Sequence, residues 1–320
     1  MRTRTKIWLI TAASLVLIGC ILFVGVMTML GWDFMRLETV KYETNTYEII
    51  EVFDSIYMST DTADISFALS DDGNCRVVCH EDTSQKHSVT VKDGELIVES
   101  SQHGFIGHIG LNFSSPRITV YLPDTEYASL IITEHTGDIK VPGSFAFKEV
   151  NISLSTGNVD FLASTSDNLQ IKASTGDIWV ESISVGSLHL SVSTGKITVL
   201  GVDCDGELTV GVSTGKAYLT DITCKSVISN GHTGDISLER VIAAEKLYIE
   251  RSTGDVKLNR CDAGYIYIKT STGDVKGSLL SSKIFIVNTN TGTRDVPQTS
   301  DGGKCEISTS TGDIIISLVS

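Results

Sequence analysis

The sequence predicts an all-β protein: a parallel β-solenoid of about ten regular coils of 19–20 residues behind one N-terminal transmembrane helix. Three observations carry the prediction. A Thr-Gly pair recurs at a fixed step, apolar residues alternate on both sides of it, and one long uncharged run lies near the N-terminus. The pairs end at Gly137, Gly157, Gly176, Gly195, Gly215, Gly234, Gly254, Gly273, Gly292 and Gly312, each 19 or 20 residues from the last. So regular a step is the mark of a repeat architecture.

Alignment on the glycine defines the core. Apolar columns stand seven and five residues before it, as in Leu188 and Leu190, and two and four after it, as in Ile197 and Val199. The exceptions are Cys305, Ser229, Arg294 and Gly277. A period of two on each side of the glycine means two short strands with one buried face, joined at a corner. A third inward pair follows seven and nine residues after the glycine, in Ile183 with Val185, Val202 with Cys204 and Ile222 with Cys224. One such coil cannot cover its own inner face, so stability must come from stacking. At about 4.8 Å per layer, ten coils make a rod of roughly 45–50 Å. The glycines are structural, because a sharp corner needs positive φ or a backbone approach that Cβ would obstruct. A helical solenoid of the leucine-rich-horseshoe kind is the structural rival, and the β-branched composition and the absence of a 3.6-residue period argue against it.

Before the regular coils, residues 49–128 are irregular but strand-like and read as N-terminal coils and cap. Thr62-Ala63-Asp64-Ile65 is a degenerate copy of the Thr-Gly-Asp-Ile corner, and Val89 to Val98 is a hairpin turning at Asp93-Gly94. Residues 32–48 read as a stalk and 129–320 as the repeats.

No charged residue lies between Lys6 and Asp33, so residues 7–31 are expected to anchor the chain in a membrane, whose core needs about 20 helical residues. Arg2, Arg4 and Lys6 precede the span, placing residues 1–6 in the cytoplasm and the solenoid outside. Two rival readings are a cleaved signal, with Ala12-Ala13-Ser14 too early in the apolar run, and a lipobox at Leu17-Ile18-Gly19-Cys20, after which the chain stays apolar. The chain has a net charge of −14 with 25 basic and 39 acidic residues; the three basic residues before the span leave −17 on the part beyond it. That balance excludes electrostatic capture of nucleic acid.

The string Val40-Lys-Tyr-Glu-Thr-Asn-Thr-Tyr-Glu-Ile49, the strand Ile118-Thr-Val-Tyr-Leu-Pro123 and the Ser-Thr-Gly-Asp-Ile repeats resemble a bacterial family of membrane-anchored β-strand-repeat proteins of unknown function, labelled "putative adhesins". The resemblance spans nearly the whole chain and implies a Gram-positive-type cell surface and a solenoid fold, with some relatives tied to envelope stress. It supplies no catalytic residues. The coil at Gly292 departs from the pattern, with Arg294 at an inward position and Gly302-Gly303 in the return, and is expected to bulge.

Candidate chemistry is sparse. One residue after the glycine stand Asp138, Asn158, Asp177, Lys196, Lys216, Asp235, Asp255, Asp274, Thr293 and Asp313. Such a column suits turn hydrogen bonding; calcium binding and the acidic cleft of a polysaccharide lyase are the alternatives. No metal or cofactor is expected: His135 and His232 sit at corners, His103 and His108 in a glycine-rich loop, and no catalytic motif occurs. Cys75 and Cys79 share a strand face about 13 Å apart, too far to bond, and Cys305 reads as a core thiol. Cys204 and Cys224 occupy equivalent positions one layer apart, which permits either a disulfide or stacked thiols. The expected partner face is the outward ladder six residues before the glycine, where Ile228, Tyr248, Tyr267 and Ile286 interrupt a polar column. It suits a surface protein or glycan, the structural alternative being a ladder that only stabilises its own sheet. A surface scaffold or adhesin, an envelope-stress sensor and a polysaccharide lyase or hydrolase are the functional readings, in that order.

Overall fold

The computed structural model describes residues 3–33, 41–100 and 115–319. Helix α1 (Thr3–Met29) begins before the expected span and ends two residues short of its limit. Its segment Thr5–Met29, with a mean hydropathy of 2.7, is long and apolar enough to cross a membrane. The Thr11 and Thr28 hydroxyls donate to the Ile7 and Val24 carbonyls, so these side chains satisfy themselves within the helix. His103, His108 and the loop holding them lie outside the described residues.

Everything described beyond the helix is one continuous β-structure in which neighbouring coils pair in parallel. Position meets equivalent position: Val150 lies between Leu130 and Leu169, and Tyr248 between Ile228 and Tyr267. The four apolar columns are buried almost throughout, and so is the third inward pair, for example Ile183, Val185, Val202 and Cys204. A second corner stands six residues after the glycine, where Ser182, Gly201, Asp221, Arg240 and Arg260 all have φ between 52° and 63°. Their mixed chemistry hides this column from the sequence.

The glycine corner is the tightest point. Gly215 has φ 138°, and a Cβ there would lie 1.8 Å from the Gly195 carbonyl oxygen of the coil beneath. No side chain fits at that distance.

Both ends depart from sequential stacking. Strands β1 (Tyr42–Ile49), β2 (Ser55–Thr62), β3 (Asp64–Leu69), β4 (Cys75–Asp82), β5 (His87–Lys92), β6 (Glu95–Ser100) and β7 (Arg117–Leu122) build the N-terminal end. The β2–β3 coil, whose Ala63 takes the place of a corner glycine, lies under the Gly137 coil, and β6 and β7 pair on its other side. Antiparallel pairing of β5 with β6 and of β4 with β7 then closes the stack. Asp93 and Gly94, with φ 51° and 82°, form the expected hairpin turn. The expected stalk over 32–48 is corrected by β1, which runs antiparallel to β4 from Tyr42↔Asp82 to Ile49↔Cys75; its alternating inward residues belong to the cap.

At the C-terminal end the last coil inserts between the two before it. Cys305 pairs with Ile266 on one side and Phe285 on the other, so the Gly312 coil separates those of Gly273 and Gly292. Gly302-Gly303 makes the entry: Cβ atoms there would meet the Ser282 and Gly264 carbonyl oxygens at 1.9 and 2.0 Å. Arg294 is exposed because its coil is outermost, and it donates to the Thr289 carbonyl at 2.6 Å.

Two outcomes test this architecture. Gly215→Ala should lower unfolding stability by more than about 3 kcal/mol, an effect of the size reserved for steric conflict in a packed interior. Gly211→Ala, whose Cβ would meet nothing nearer than 3.7 Å, should leave the melting temperature nearly unchanged. The layer order is read by cross-linking: Lys269→Cys with Ser308→Cys, opposite each other in adjacent layers, should form a disulfide on mild oxidation, and Lys269→Cys with Asn288→Cys should not.

Candidate functional site

The outward face near the C-terminal end carries the aromatic ladder. Tyr248 and Tyr267 stack with ring centroids 4.7 Å apart and planes 11° from parallel. Ile228 pairs with Tyr248 below them. Above Tyr267, however, comes Glu306 and then Ile286, because the last coil intervenes. The four residues are therefore not consecutive, as the chain order suggested; three adjoin, and Ile286 lies beyond a polar break.

That break is structured. Lys304 pairs with Glu306 at 2.5 Å, and Tyr265 donates its hydroxyl to the same carboxylate at 2.9 Å. The Lys304 bond, then that of Tyr265, holds the Glu306 carboxyl below its ordinary range, while burial and Glu306 push the Tyr265 phenol up to about 12. Tyr265, eight residues before its glycine, thus widens the aromatic patch, with Ile284 and Ile286 about half exposed past the break. The sequence signal for Tyr265 was present: its column is otherwise mostly polar, with Ser129, Glu149, Asn168 and Ser187.

A second locus lies inside the corner. Three residues before the glycine, Leu154, Ala173, Val192 and Val212 fill the core, but the next two coils place Gly231 and Arg251 there. The Arg251 guanidinium occupies the room left by Gly231, where a Cβ would fall 1.6 Å from Nη1. Its Nη2 donates to Ser229 Oγ at 2.8 Å and its Nη1 to the Val212 carbonyl at 3.4 Å, while buried Nε finds no partner among the described residues. Desolvation lowers Arg251 to about 10. Ser229, an exception in its apolar column, is thereby explained as a partner of this cation. Two shallow clefts of about 260 and 400 Å³ flank the position and share Asn230, Gly231 and His232.

The polar column after the glycine serves the turns. Asp138 Oδ1 accepts the Asn158 amide, Asn158 that of Asp177, and Asp177 that of Lys196; Asp235, Asp255 and Asp274 continue the series. The Asp255 amide, as the largest cause, holds Asp235 below the usual carboxylate range. Lys196 and Lys216, which interrupt the column, pair with Asp177 and Asp235 at 3.2 and 3.3 Å.

Cys204 and Cys224 are both buried free thiols. Their sulfurs turn to opposite layers, Cys204 to the Gly186 carbonyl at 3.7 Å and Cys224 to that of Ile242 at 3.9 Å. Burial, reinforced by Cys204, pushes the Cys224 thiol up to about 12. Among the described residues, one group joins metal-ligating types at close range: Cys79, Glu81 and His87, all in the cap. His135 stands exposed, 3.4 Å from Asp61, and His232 lines both clefts.

At the junction of cap and solenoid, buried Glu134 accepts from the Thr60 hydroxyl and, at 3.0 Å, from the Thr136 amide. Burial outweighs these bonds and raises its carboxyl from 4.5 to about 7. A folded-state value above the unfolded one gives a contribution that is complete below about pH 4.5 and lost as pH rises through about 7. Melting temperature should therefore fall by several degrees between pH 5 and pH 8, and Glu134→Gln should remove most of that fall.

A family model described as Toastrack DUF4097 matches residues 53–216 and again residues 210–319. Solved structures similar to the chain include a "putative adhesin" from Parabacteroides merdae, at 13% identity and TM-score 0.49 over 76% of this chain and 98% of that one. A second "putative adhesin", from Bacteroides fragilis, is 16% identical with TM-score 0.42 over 86% and 97%. A "putative lipid binding protein" from Parabacteroides distasonis is 18% identical with TM-score 0.47 over 75% and 95%. No curated protein matches the chain.

Proposed function

The chain belongs to the Toastrack DUF4097 family, and from that premise we propose that it is a non-enzymatic surface module: a β-solenoid held at the membrane by residues 7–31, which binds a surface protein or glycan through its tyrosine face. The observation that carries the reading is the stacked pair Tyr248–Tyr267, extended by Ile228 and Tyr265. These rings stand on the solvent side of a wall whose inner side is already filled. Flat aromatic area with a hydroxyl at its edge is the usual material of protein and sugar contacts.

The remaining chemistry supports a binding role over a catalytic one. The carboxylates that could have lined an acidic cleft accept backbone amides of the next coil, and such bonds hold a shape. The apolar helix, with Arg2, Arg4 and Lys6 ahead of its uncharged run, supports an anchor with a cytoplasmic N-terminus. A net charge of −17 beyond the helix favours a cationic or neutral partner over an anionic one.

Capture of surface components from intact cells by the purified chain, with Tyr248→Ser/Tyr267→Ser beside it, tests the reading. The double variant should lose at least tenfold in partner affinity with its melting temperature within about 2 °C of the parent. Unchanged capture with a lowered melting temperature would reduce the ladder to a stabiliser of its own sheet.

A further inference from the structure

The cap gathers three side chains from a strand and the strand that follows it. Strand β4 presents Cys79 and Glu81 on one inward face, two residues apart, and the turn after it returns the chain so that β5 begins with His87 against them. All three are buried, with Cys79 and Glu81 wholly inaccessible and His87 at 7%. One ligand atom from each lies within 4.8 Å of the other two. We propose that Cys79, Glu81 and His87 form a binding site for a zinc-class divalent cation that fastens the cap.

The donor chemistry points to that class. A thiolate, a carboxylate and an imidazole together match the borderline-soft divalent ions, of which zinc takes all three ligand types. Bonds of about 2.0–2.3 Å in a tetrahedron set donors roughly 3.3–3.7 Å apart, within the span this group occupies. The charges also close, since one thiolate and one carboxylate neutralise a divalent ion in a place where an unbalanced charge would be costly.

The surroundings hold the donors in place. Glu81 Oε1 receives the Asn45 side-chain amide of β1 at 2.6 Å, and its Oε2 receives the His87 backbone amide at 2.6 Å. The Tyr47 hydroxyl donates to the His87 carbonyl at 3.1 Å. Partners of this kind orient ligands in metal sites. The His87 Nδ1 to Glu81 Oε2 contact, at 2.7 Å, is a hydrogen bond whose proton the cation would displace. A buried Glu–His pair accounts for two of the three residues. The Cys79 thiol makes no hydrogen bond among the described residues and packs in the core beside that pair, and the cation would give its sulfur a polar partner as well.

The full chain in detergent, stripped with a chelator, is titrated with Co²⁺ and separately with Zn²⁺. One equivalent of Co²⁺ should give the near-ultraviolet thiolate charge-transfer band and the visible bands of a tetrahedral ion, and Zn²⁺ should raise the melting temperature. Cys79→Ser should lose the charge-transfer band, His87→Gln should weaken binding at least tenfold, and Cys75→Ser, four residues along the same strand face, should bind as the parent does. If Cys79→Ser fails to fold, zinc-edge absorption of the parent decides, with one sulfur scatterer near about 2.3 Å expected. A parent chain with no charge-transfer band, an absorption spectrum with no sulfur, or a folded Cys79→Ser that binds unchanged would overturn the site.

Discussion

The contact on which the structure depends is backbone against backbone at the corner. In coil after coil, the carbonyl oxygen of one corner glycine occupies the space that a Cβ of the next would need, as at Gly195 and Gly215. Only a residue without Cβ lets the coils close to the roughly 4.8 Å at which parallel strands pair. Once the corners are in register, so is everything at a fixed distance from them. Core columns stack like on like, the amide of Gly157 reaches the Thr175 carbonyl at 3.0 Å, and each Oδ1 of the polar column finds the amide of its neighbour. Steps of 19 and 20 residues both keep the glycines at this contact, because register shifts in the return segment, as between Phe147 and Glu149 and between Thr165 and Asn168, take up the difference.

A stack built this way has two open ends, and open parallel edges invite further strands. The chain answers at both ends with the same device: the outermost parallel coil is never the one its position in the sequence would put there. The β2–β3 coil is held between the Gly137 coil and β6–β7, and the Gly312 coil between those of Gly273 and Gly292. A C-terminal coil clamped on both faces has no free edge from which to fray. At the N-terminal end antiparallel pairing finishes the closure, and this is where the buried polar groups Glu81, His87 and Glu134 collect. The apolar columns run on into these strands, Ile56 and Met58 pairing with Leu130 and Ile132 on one side and with Leu96 and Val98 on the other, and the polar contacts stand beside them.

These same ends mark the limit of what the sequence discloses. Period, core columns, third inward pair and degenerate corner at Ala63 were all legible, because each is a pattern repeated against a fixed reference. Layer order was not. Every Thr-Gly corner is chemically equivalent to every other, so chain order was the only available guide, and it misplaced Ile286 beside Tyr267. The doublet Gly302-Gly303 was the trace of the insertion, read as a bulge because its two close neighbours, Ser282 and Gly264, belong to different coils. Ser229 read as an isolated exception in its column, yet with Gly231 and Arg251 it is one arrangement: a cation, the void that admits it and the hydroxyl that binds it. Residues 42–48 read as stalk because their alternation is short and polar, and only the pairing partner β4 reveals them as a strand.

A solenoid whose inner positions are committed to stacking has one freedom left, the identity of its outward columns. Sequence change at a single offset, coil by coil, writes a column on the surface without disturbing the interior, because alternation keeps the two faces independent. The polar run Asn151, Gln170, His189 and Thr209 passes to Ile228, Tyr248 and Tyr267 on the same line, with the inward Val227, Leu247 and Ile266 unchanged in character. The change occurs in the last third of the stack, away from the cap through which the chain joins its helix. The inserted coil then sets Lys304 and Glu306 against the aromatic surface, and Tyr265 ties the two together. The end topology therefore bounds the candidate face: the insertion sets Glu306 between Tyr267 and Ile286 and leaves Ile284 and Ile286 on the outermost coil, whose strand pairs on one side alone among the described residues.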